Sequence, residues 1–370
     1  MIKVLHYIPG FLYGGIESLY LEWYKRLDHS SVEFELLLRT QDDDSVALKQ
    51  YRELNGKYYR LPEVKNITNY IIKVNQFFKY HHDYDIIHAT IADSIILSAA
   101  KKYGIKTIVH SHTSQPINDT FLKKMFFSID FYISKCFYID YAFACSKLAA
   151  QYMFGGLVFK NKKVVLIHNA IDINNYKYDS KVREEKRKEF DLQNNYCIGH
   201  VGRMTYPKNQ FFLLDVFKDV IKERHDSVLL MVGDGPDEAA LKKYAKDIGI
   251  SESVRFLGNR DDVKELIQAM DLFLLPSRYE GLPVTLIEAQ AAGLPCVISD
   301  VITEESDITD LIYRKSLGDS TSSWAETICS LFGVERKDVS SRISAKGFDM
   351  DVEAQKLVRI YKKICNRRKA

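Results

Sequence analysis

The chain is predicted to fold as an α/β protein of two Rossmann-like, doubly wound domains facing each other across a cleft, and three observations predict it. Its 370 residues are too many for one ordinary domain and suit two of roughly 150–200 residues each. Short, nearly continuous apolar runs alternate with helix-length amphipathic segments, the pattern of parallel strands covered on both faces. The alternation pauses once, over residues 173–196, where the sequence is polar and highly charged, and then restarts.

The first set of strands is expected at Ile2 to Tyr7, Phe34 to Leu38, Ile86 to Ala89, Thr107 to His110, Tyr141 to Cys145 and Val164 to Ile167. Ile16, Leu19, Tyr20, Trp23 and Leu27 recur at spacings of three and four, which marks the first helix. The pause over 173–196 is assigned to the interdomain linker and a surface helix. The second set follows at Cys197 to Val201, Ser227 to Val232, Val254 to Leu257, Leu272 to Pro276 and Pro295 to Ser299. A last helix, Asp351 to Cys365, carries Val352, Leu357, Ile360 and Tyr361 on one side. No short-period repeat or low-complexity tract is visible, which excludes solenoids and propellers.

A composition of 46% hydrophobic and 27% charged residues is that of an ordinary globular protein, and a net charge of +3 does not suggest a nucleic-acid binder. The opening MIKVLHYIPG lacks the pattern of a signal peptide, and no apolar run reaches the ~18 residues of a membrane-spanning helix. Six cysteines are scattered without CxxC spacing and read as buried apolar residues or free thiols in a reducing compartment. A cytoplasmic protein is expected.

In doubly wound sheets, ligands sit beyond the carboxyl ends of the strands, so the residues that follow each strand carry the chemistry. After the first strand, Gly10 to Glu17 places Gly14 and Gly15 at the opening of a helix, where backbone can approach an anion closely. The loop lacks the full GxGxxG fingerprint, so a dinucleotide cofactor is not supported. After the first strand of the second set, Gly202 to Asn209 holds Arg203 and Lys208, two cations able to reach one diphosphate.

The most informative segment runs from Leu275 to Pro295. A strand ends at Pro276, a loop carries Glu280, and a helix starts near Pro283 with Glu288 inside it. The N–H groups of Gly281, Leu282, Val284 and Thr285 are then expected to point into the crevice. Two carboxylates beside a phosphate site are electrostatically odd unless they accept hydrogen bonds from sugar hydroxyls.

The Glu-x7-Glu spacing of Glu280 and Glu288 resembles the signature of the family-4 retaining glycosyltransferases of the GT-B fold. The wording GLPVTLIEAQAAGLP is similar to members that build bacterial exopolysaccharide and capsule. Supporting matches are Gly14-Gly15-Ile16-Glu17, Gly202-Arg203 with Lys208, Gly233-Asp234-Gly235-Pro236, and His168-Asn169-Ala170-Ile171-Asp172, which has Ala170 where the family has glycine. The resemblance implies domains of 1–172 (acceptor side) and 173–348 (nucleotide-sugar side), with 349–370 as a helix returning to the first.

By the same resemblance Arg203 and Lys208 contact the donor diphosphate, Glu288 the ribose and Glu280 the transferred sugar, with Gly14, Gly15, Gly281, Leu282, Pro283, Val284 and Thr285 completing the donor site. The family's first-domain histidine falls in Val109 to Thr113, as His112 rather than His110; two apart, they share a face of an extended chain. A zinc site on this pair lacks a third ligand spaced nearby, and Asp42-Asp43-Asp44 reads as a solvated turn.

The implied reaction moves a hexose or N-acetylhexosamine from a nucleotide diphosphate sugar, most simply a UDP-sugar, to a glycan or lipid-linked acceptor. No cofactor or metal is expected beyond this substrate. Thr120 to Lys135 interleaves aromatics with lysines, which suits either a core-facing helix or contact with the inner face of the cell membrane. Two rivals remain: a nucleotide-sugar epimerase on the same two-domain plan, and a catalytically silent partner in a polysaccharide-assembly complex.

Overall fold

The computed structural model describes residues 1–11, 15–39, 45–112, 129–155 and 164–366. It divides into two compact units, Met1–Ala170 with Met350–Ala370, and Ile171–Asp349. Beside the expected limits of 172 and 348, the division falls two residues earlier and one later.

The first unit is built on a seven-stranded sheet in the order β3-β2-β1-β4-β5-β6-β7, with β1 (Ile2–Ile8), β2 (Val32–Leu38), β3 (Tyr58–Arg60), β4 (Ile86–Ala89), β5 (Lys106–Ser111), β6 (Tyr141–Ala144) and β7 (Val165–Leu166). Every pairing is parallel. Successive strand residues point to opposite faces, so Val4, Ile86 and Ile108 enter one core while Leu5, Ile87 and Val109 enter the other. Trp23 of helix Gly15–Arg26 closes the first face, and Tyr70, Phe78 and Leu97 of helices Ile67–Tyr80 and Ser94–Lys102 close the second. Asn66, Asp93 and Ser146 each cap a helix by accepting a backbone N–H with the side chain.

Helix Met350–Asn366 packs on the first face through Ala354, Leu357, Tyr361 and Ile364. The expected apolar side needs one correction, since Val352 is exposed. The buried line steps by three or four residues from Ala354, which turns position 352 outward.

The second unit carries a six-stranded parallel sheet in the order β10-β9-β8-β11-β12-β13: β8 (Tyr196–Val201), β9 (Ser227–Val232), β10 (Val254–Gly258), β11 (Leu272–Leu275), β12 (Cys296–Ser299) and β13 (Ile312–Lys315). Two strands, β3 and β13, escaped the sequence reading. Both lie at sheet edges with every residue only half-buried, so they lack an apolar run.

The charged stretch 173–196 is not a free tether but part of the second unit. Its helix Ser180–Glu189 sends Arg183 to the carbonyls of Gln268, Ala269 and Met270 and to Asp271 Oδ1 at 2.5 Å. Arg187 adds Ala269 O and Asp271 Oδ2. From the far end of the unit, Arg336 reaches Ile267, Gln268 and Met270 carbonyls. Three guanidinium groups thus satisfy the carbonyl-rich end of helix Val263–Ala269, where cations also oppose the helix dipole. Burial pushes Arg336 down to about 10.

Strand order reverses beside β1 in the first sheet and beside β8 in the second, between β1 and β4 and between β8 and β11. Such switch points splay the following loops apart and open a crevice there.

Candidate active site

In the second unit the loops after β8 and β11 flank the switch point and are tied together. The Arg278 N–H donates to Pro207 O at 2.7 Å, and Asn209 Nδ2 donates to Pro276 O at 3.0 Å. Asn209 takes a left-handed conformation, φ 58° and ψ 39°, that turns the chain from the loop into helix Gln210–Glu223. Gln210 Nε2 donates to Arg203 O at 2.9 Å and lies 3.3 Å from His200 Nε2, while His200 Nδ1 bonds Leu274 O across the β8–β11 pair.

The loop after β9 presses on the same place. Gly233 has φ +123°, and a Cβ there would lie 2.3 Å from Gly202 O. Gly235 has φ +156°, and its Cβ would lie 2.3 Å from Met204 O. Only glycine serves at either position, which gives the Gly233-Asp-Gly235 motif its physical reason. Ala170, by contrast, is not among the residues of positive φ, so its motif needs no glycine here.

Lys208 and Glu280, assigned to different parts of a donor, meet as an ion pair at 2.7 Å. The Glu280 Oε1 that receives Lys208 also accepts from Ser277 Oγ at 2.6 Å. Arg203 is exposed, and its guanidinium forms no ion pair among the described residues. Of the two cations assigned to the diphosphate, Lys208 is thus committed and, among the described residues, Arg203 is not.

Helix Val284–Ala291 starts at Pro283, which offers no capping side chain. The N–H groups of Gly281, Leu282, Val284 and Thr285 donate to no backbone carbonyl among the described residues, and Thr285 Oγ1 is buried without a partner. One turn further in, Glu288 Oε1 accepts from Tyr176 OH at 2.7 Å. Burial pushes the Glu288 carboxyl up to about 7, and the Tyr176 hydroxyl opposes that shift.

In the first unit, His112 follows the carboxyl end of β5, as a ligand-facing residue should. Its Nδ1 lies 3.0 Å from Asn169 Oδ1, and its Nε2 is buried with no partner among the described residues. His110 is fully buried, its ring centroid 4.0 Å from that of His112, with Nδ1 3.2 Å from His88 Nε2. His88 Nδ1 in turn lies 2.5 Å from Tyr361 OH. With His6 beside His88, four histidines form a seam across β1, β4 and the end of β5. Burial drives all four toward the neutral form, and His112 is pushed down to about 4.

Gly15 opens helix Gly15–Arg26, and a Cβ there would meet nothing within 4 Å, so packing does not demand the glycine. Gly14, Asp42 to Asp44 and Thr120 to Ser128 lie outside the described residues. The sequence reading missed Tyr176, Ser277 and Asn169 as partners of site residues. Asn169 carried a signal, since it sits in the quoted His168-Asn169-Ala170 motif, whereas Tyr176 lay in the stretch assigned to a linker.

The chain matches two families in succession, Glycosyltransferase Family 4 over residues 13–175 and Glycosyl transferases group 1 over residues 182–328. EpsF of Bacillus subtilis is 29% identical over 370 residues, covering 97% of this chain and 96% of its own. The capsular polysaccharide biosynthesis glycosyltransferase CapH of Staphylococcus aureus is 26% identical over 376 residues, 98% and 99% of the two chains. Among solved structures, HepE of Anabaena in complex with UDP and glucose superposes with a TM-score of 0.75 at 18% identity, covering 99% of this chain and 98% of its own.

The raised Glu288 carboxyl makes a stability prediction whose sign is fixed. Between the ordinary carboxyl value of 4.5 and about 7, the folded chain holds a proton that the unfolded chain has lost. Stability is therefore greatest below that window and falls as pH rises through it. Glu288→Gln keeps the Tyr176 hydrogen bond without a charge. Urea unfolding should show it more stable than wild type at pH 8, by on the order of 1–3 kcal/mol, with little gain at pH 5. A difference independent of pH would show that burial does not hold the proton.

Proposed function

Because the chain belongs to the family-4 glycosyltransferases of the GT-B fold, and is a glycosyltransferase of polysaccharide biosynthesis, we propose that it transfers a hexose or N-acetylhexosamine from a UDP-sugar to a glycan or lipid-linked acceptor with retention of configuration. One observation carries the reading. Arg203, the Lys208–Glu280 pair and the open helix start at Gly281 to Thr285 belong to the segments that follow β8 and β11 at one switch point, with Glu288 one turn into the helix.

In this reading the diphosphate sits on the helix start, with Arg203 and Lys208 stabilising the charge that grows as the sugar leaves. Glu288 accepts from the ribose hydroxyls and Glu280 from the transferred sugar. The leaving phosphate helps remove the acceptor's proton, and His112 is the first unit's histidine that the family resemblance assigns to the reaction. The donor base follows the relatives: HepE was solved with UDP and glucose, and an Escherichia coli relative 25% identical over 315 residues is a UDP-Gal-dependent galactosyltransferase acting on a diphosphoundecaprenol-linked sugar. The epimerase and the silent partner are not favoured by these relatives.

Among the described residues no helix is long and apolar enough to cross a membrane. Peripheral contact is part of the proposal. In the described part of that segment and just beyond it, Ile129, Tyr132 and Phe137 are exposed by 51%, 60% and 69%, while Lys135 is buried and donates to Gly155 O.

Three tests follow. Because the cations of the site are Arg203 and Lys208, chelator should leave turnover unchanged, and a tenfold loss restored by manganese would refute metal independence. Lys123→Glu with Lys124→Glu should weaken binding to anionic liposomes at low salt while leaving donor affinity alone. A wild-type chain that ignores such liposomes has no membrane face there.

The third test separates the two glutamates. Glu288→Ala should mainly weaken binding of free UDP, as loss of a group that grips ground and transition states alike. Glu280→Ala should lower turnover about ten- to a hundredfold, the worth of one charge-assisted hydrogen bond, while UDP still binds. Its Lys208 partner is then released toward the diphosphate, so UDP affinity should hold or rise. Calorimetry beside initial rates reads both, and the reverse pattern would exchange the two roles.

A further inference from the structure

Three segments distant in sequence converge on one imidazole in the first unit. His112 stands just past β5, and Asn169 stands just past β7, 57 residues later, with its Oδ1 3.0 Å from His112 Nδ1. The segment carrying Asn169 is itself held on both sides. His168 Nδ1 bonds Cys145 O at 2.9 Å, and the His168 backbone N–H donates to Glu353 Oε2 at 3.1 Å. Glu353 belongs to helix Met350–Asn366, is 1% exposed, and is paired with Lys356 at 2.8 Å. A carboxylate this deeply buried has to be fully partnered, and here its partners are that lysine and one backbone N–H.

An amide oxygen accepts and cannot donate, so the nitrogen it faces must carry the proton. Asn169 Oδ1 therefore places the His112 proton on Nδ1 and leaves the lone pair on Nε2. That Nε2 is buried and meets no partner among the described residues. The groups facing the ring from the elements around it are His110 on β5, Tyr20 on helix Gly15–Arg26 at 6.3 Å between centroids, and Asn169 after β7. His88 on β4 lies behind His110, and no carboxylate is among these groups. The Asn169 oxygen favours an imidazolium but burial outweighs it, so the ring stays neutral, with Nε2 unpartnered among the described residues.

We infer that Asn169, fixed in place by Glu353 of the C-terminal helix, is a positioning residue that sets the tautomer of His112 so that Nε2 accepts a hydrogen bond from a substrate hydroxyl. A lone pair at Nε2 selects a hydroxyl over a phosphate oxygen, which has no proton to give. His112 therefore serves the sugar or the acceptor, not the diphosphate. The C-terminal helix is more than a covering for the sheet, because one of its carboxylates sets the site. The inference rests on the glycosyl-transfer reading for what the hydroxyl belongs to, though not for the tautomer.

The experiment is long-range ¹H–¹⁵N NMR of the histidine rings in the full chain, beside turnover of UDP-sugars. Wild type should show His112 as the Nδ1–H tautomer. Asn169→Ala should shift it toward Nε2–H, and lower turnover at least tenfold with UDP affinity unchanged, since Arg203, Lys208 and Glu288, proposed to hold the diphosphate and ribose, lie in the second unit. Asn169→Asp should raise the His112 titration midpoint by a pH unit or more, because a carboxylate favours the imidazolium. Glu353→Ala should reproduce the Asn169→Ala spectrum, while Glu353→Gln, which keeps an acceptor oxygen for the His168 N–H, should restore the wild-type tautomer. An Nε2–H ring in wild type, or variants that lose thermal stability with the tautomer unchanged, would overturn the inference. A wild-type chain that consumes no nucleotide sugar removes the functional reading instead, and the NMR result then decides the role of Asn169 alone.

Discussion

In a parallel sheet every strand runs the same way, so each connection must climb back over a face, and every loop that follows a strand emerges at one edge. Both sheets of this protein obey that constraint without exception among the described strands. It buries both faces, which is why Val4 and Leu5 can each be fully enclosed though they point opposite ways. It also gathers at one edge of the second sheet residues as far apart in sequence as Lys208 and Glu280. The site is a consequence of strand direction before it is a consequence of side-chain chemistry.

The charges at that edge are arranged to be cheap without a ligand and useful with one. Lys208 and Glu280 neutralise each other, with Ser277 supplying a further hydrogen bond to the same oxygen. The pair is largely buried, its side chains only 18% and 12% exposed, so each charge depends on the other and anything that takes one must replace its partner. Glu288 is the opposite case. It is held against its charge by burial, with only Tyr176 donating to it among the described residues. A ligand that brings hydroxyl donors to such a carboxylate relieves a cost the folded chain carries alone.

The histidine seam of the first unit shows the same logic applied to neutral groups. Four imidazoles packed under Tyr20, Trp23 and Tyr361 would repel one another if protonated, and enclosure keeps them uncharged. Several polar atoms there, among them His6 Nδ1 and Nε2, Tyr20 OH and His110 Nε2, have no protein partner among the described residues. Buried polar atoms left unpaired cost stability, and they concentrate where a fold serves a ligand more than itself.

The amino-acid sequence by itself determined the element plan and the types of residue at the strand ends, because apolar period and glycine or proline placement act locally. It showed Glu280 and Glu288 by their spacing, Arg203 and Lys208 by their loop, and the glycines of the 233–235 turn. Edge strands such as Ile312–Lys315 left no signal, since an edge strand need not be apolar. The stretch 173–196 looked like a tether because its arginines, read in sequence, had no partners; folded, they close the end of a helix some 85 residues away. Only the tertiary structure decided which groups meet: Tyr176 with Glu288 across 112 residues, Asn169 with His112 across 57, and Glu353 with His168 across 185. Those separations are the physical reason, for no local pattern links residues that only strand order and helix packing bring within hydrogen-bond distance.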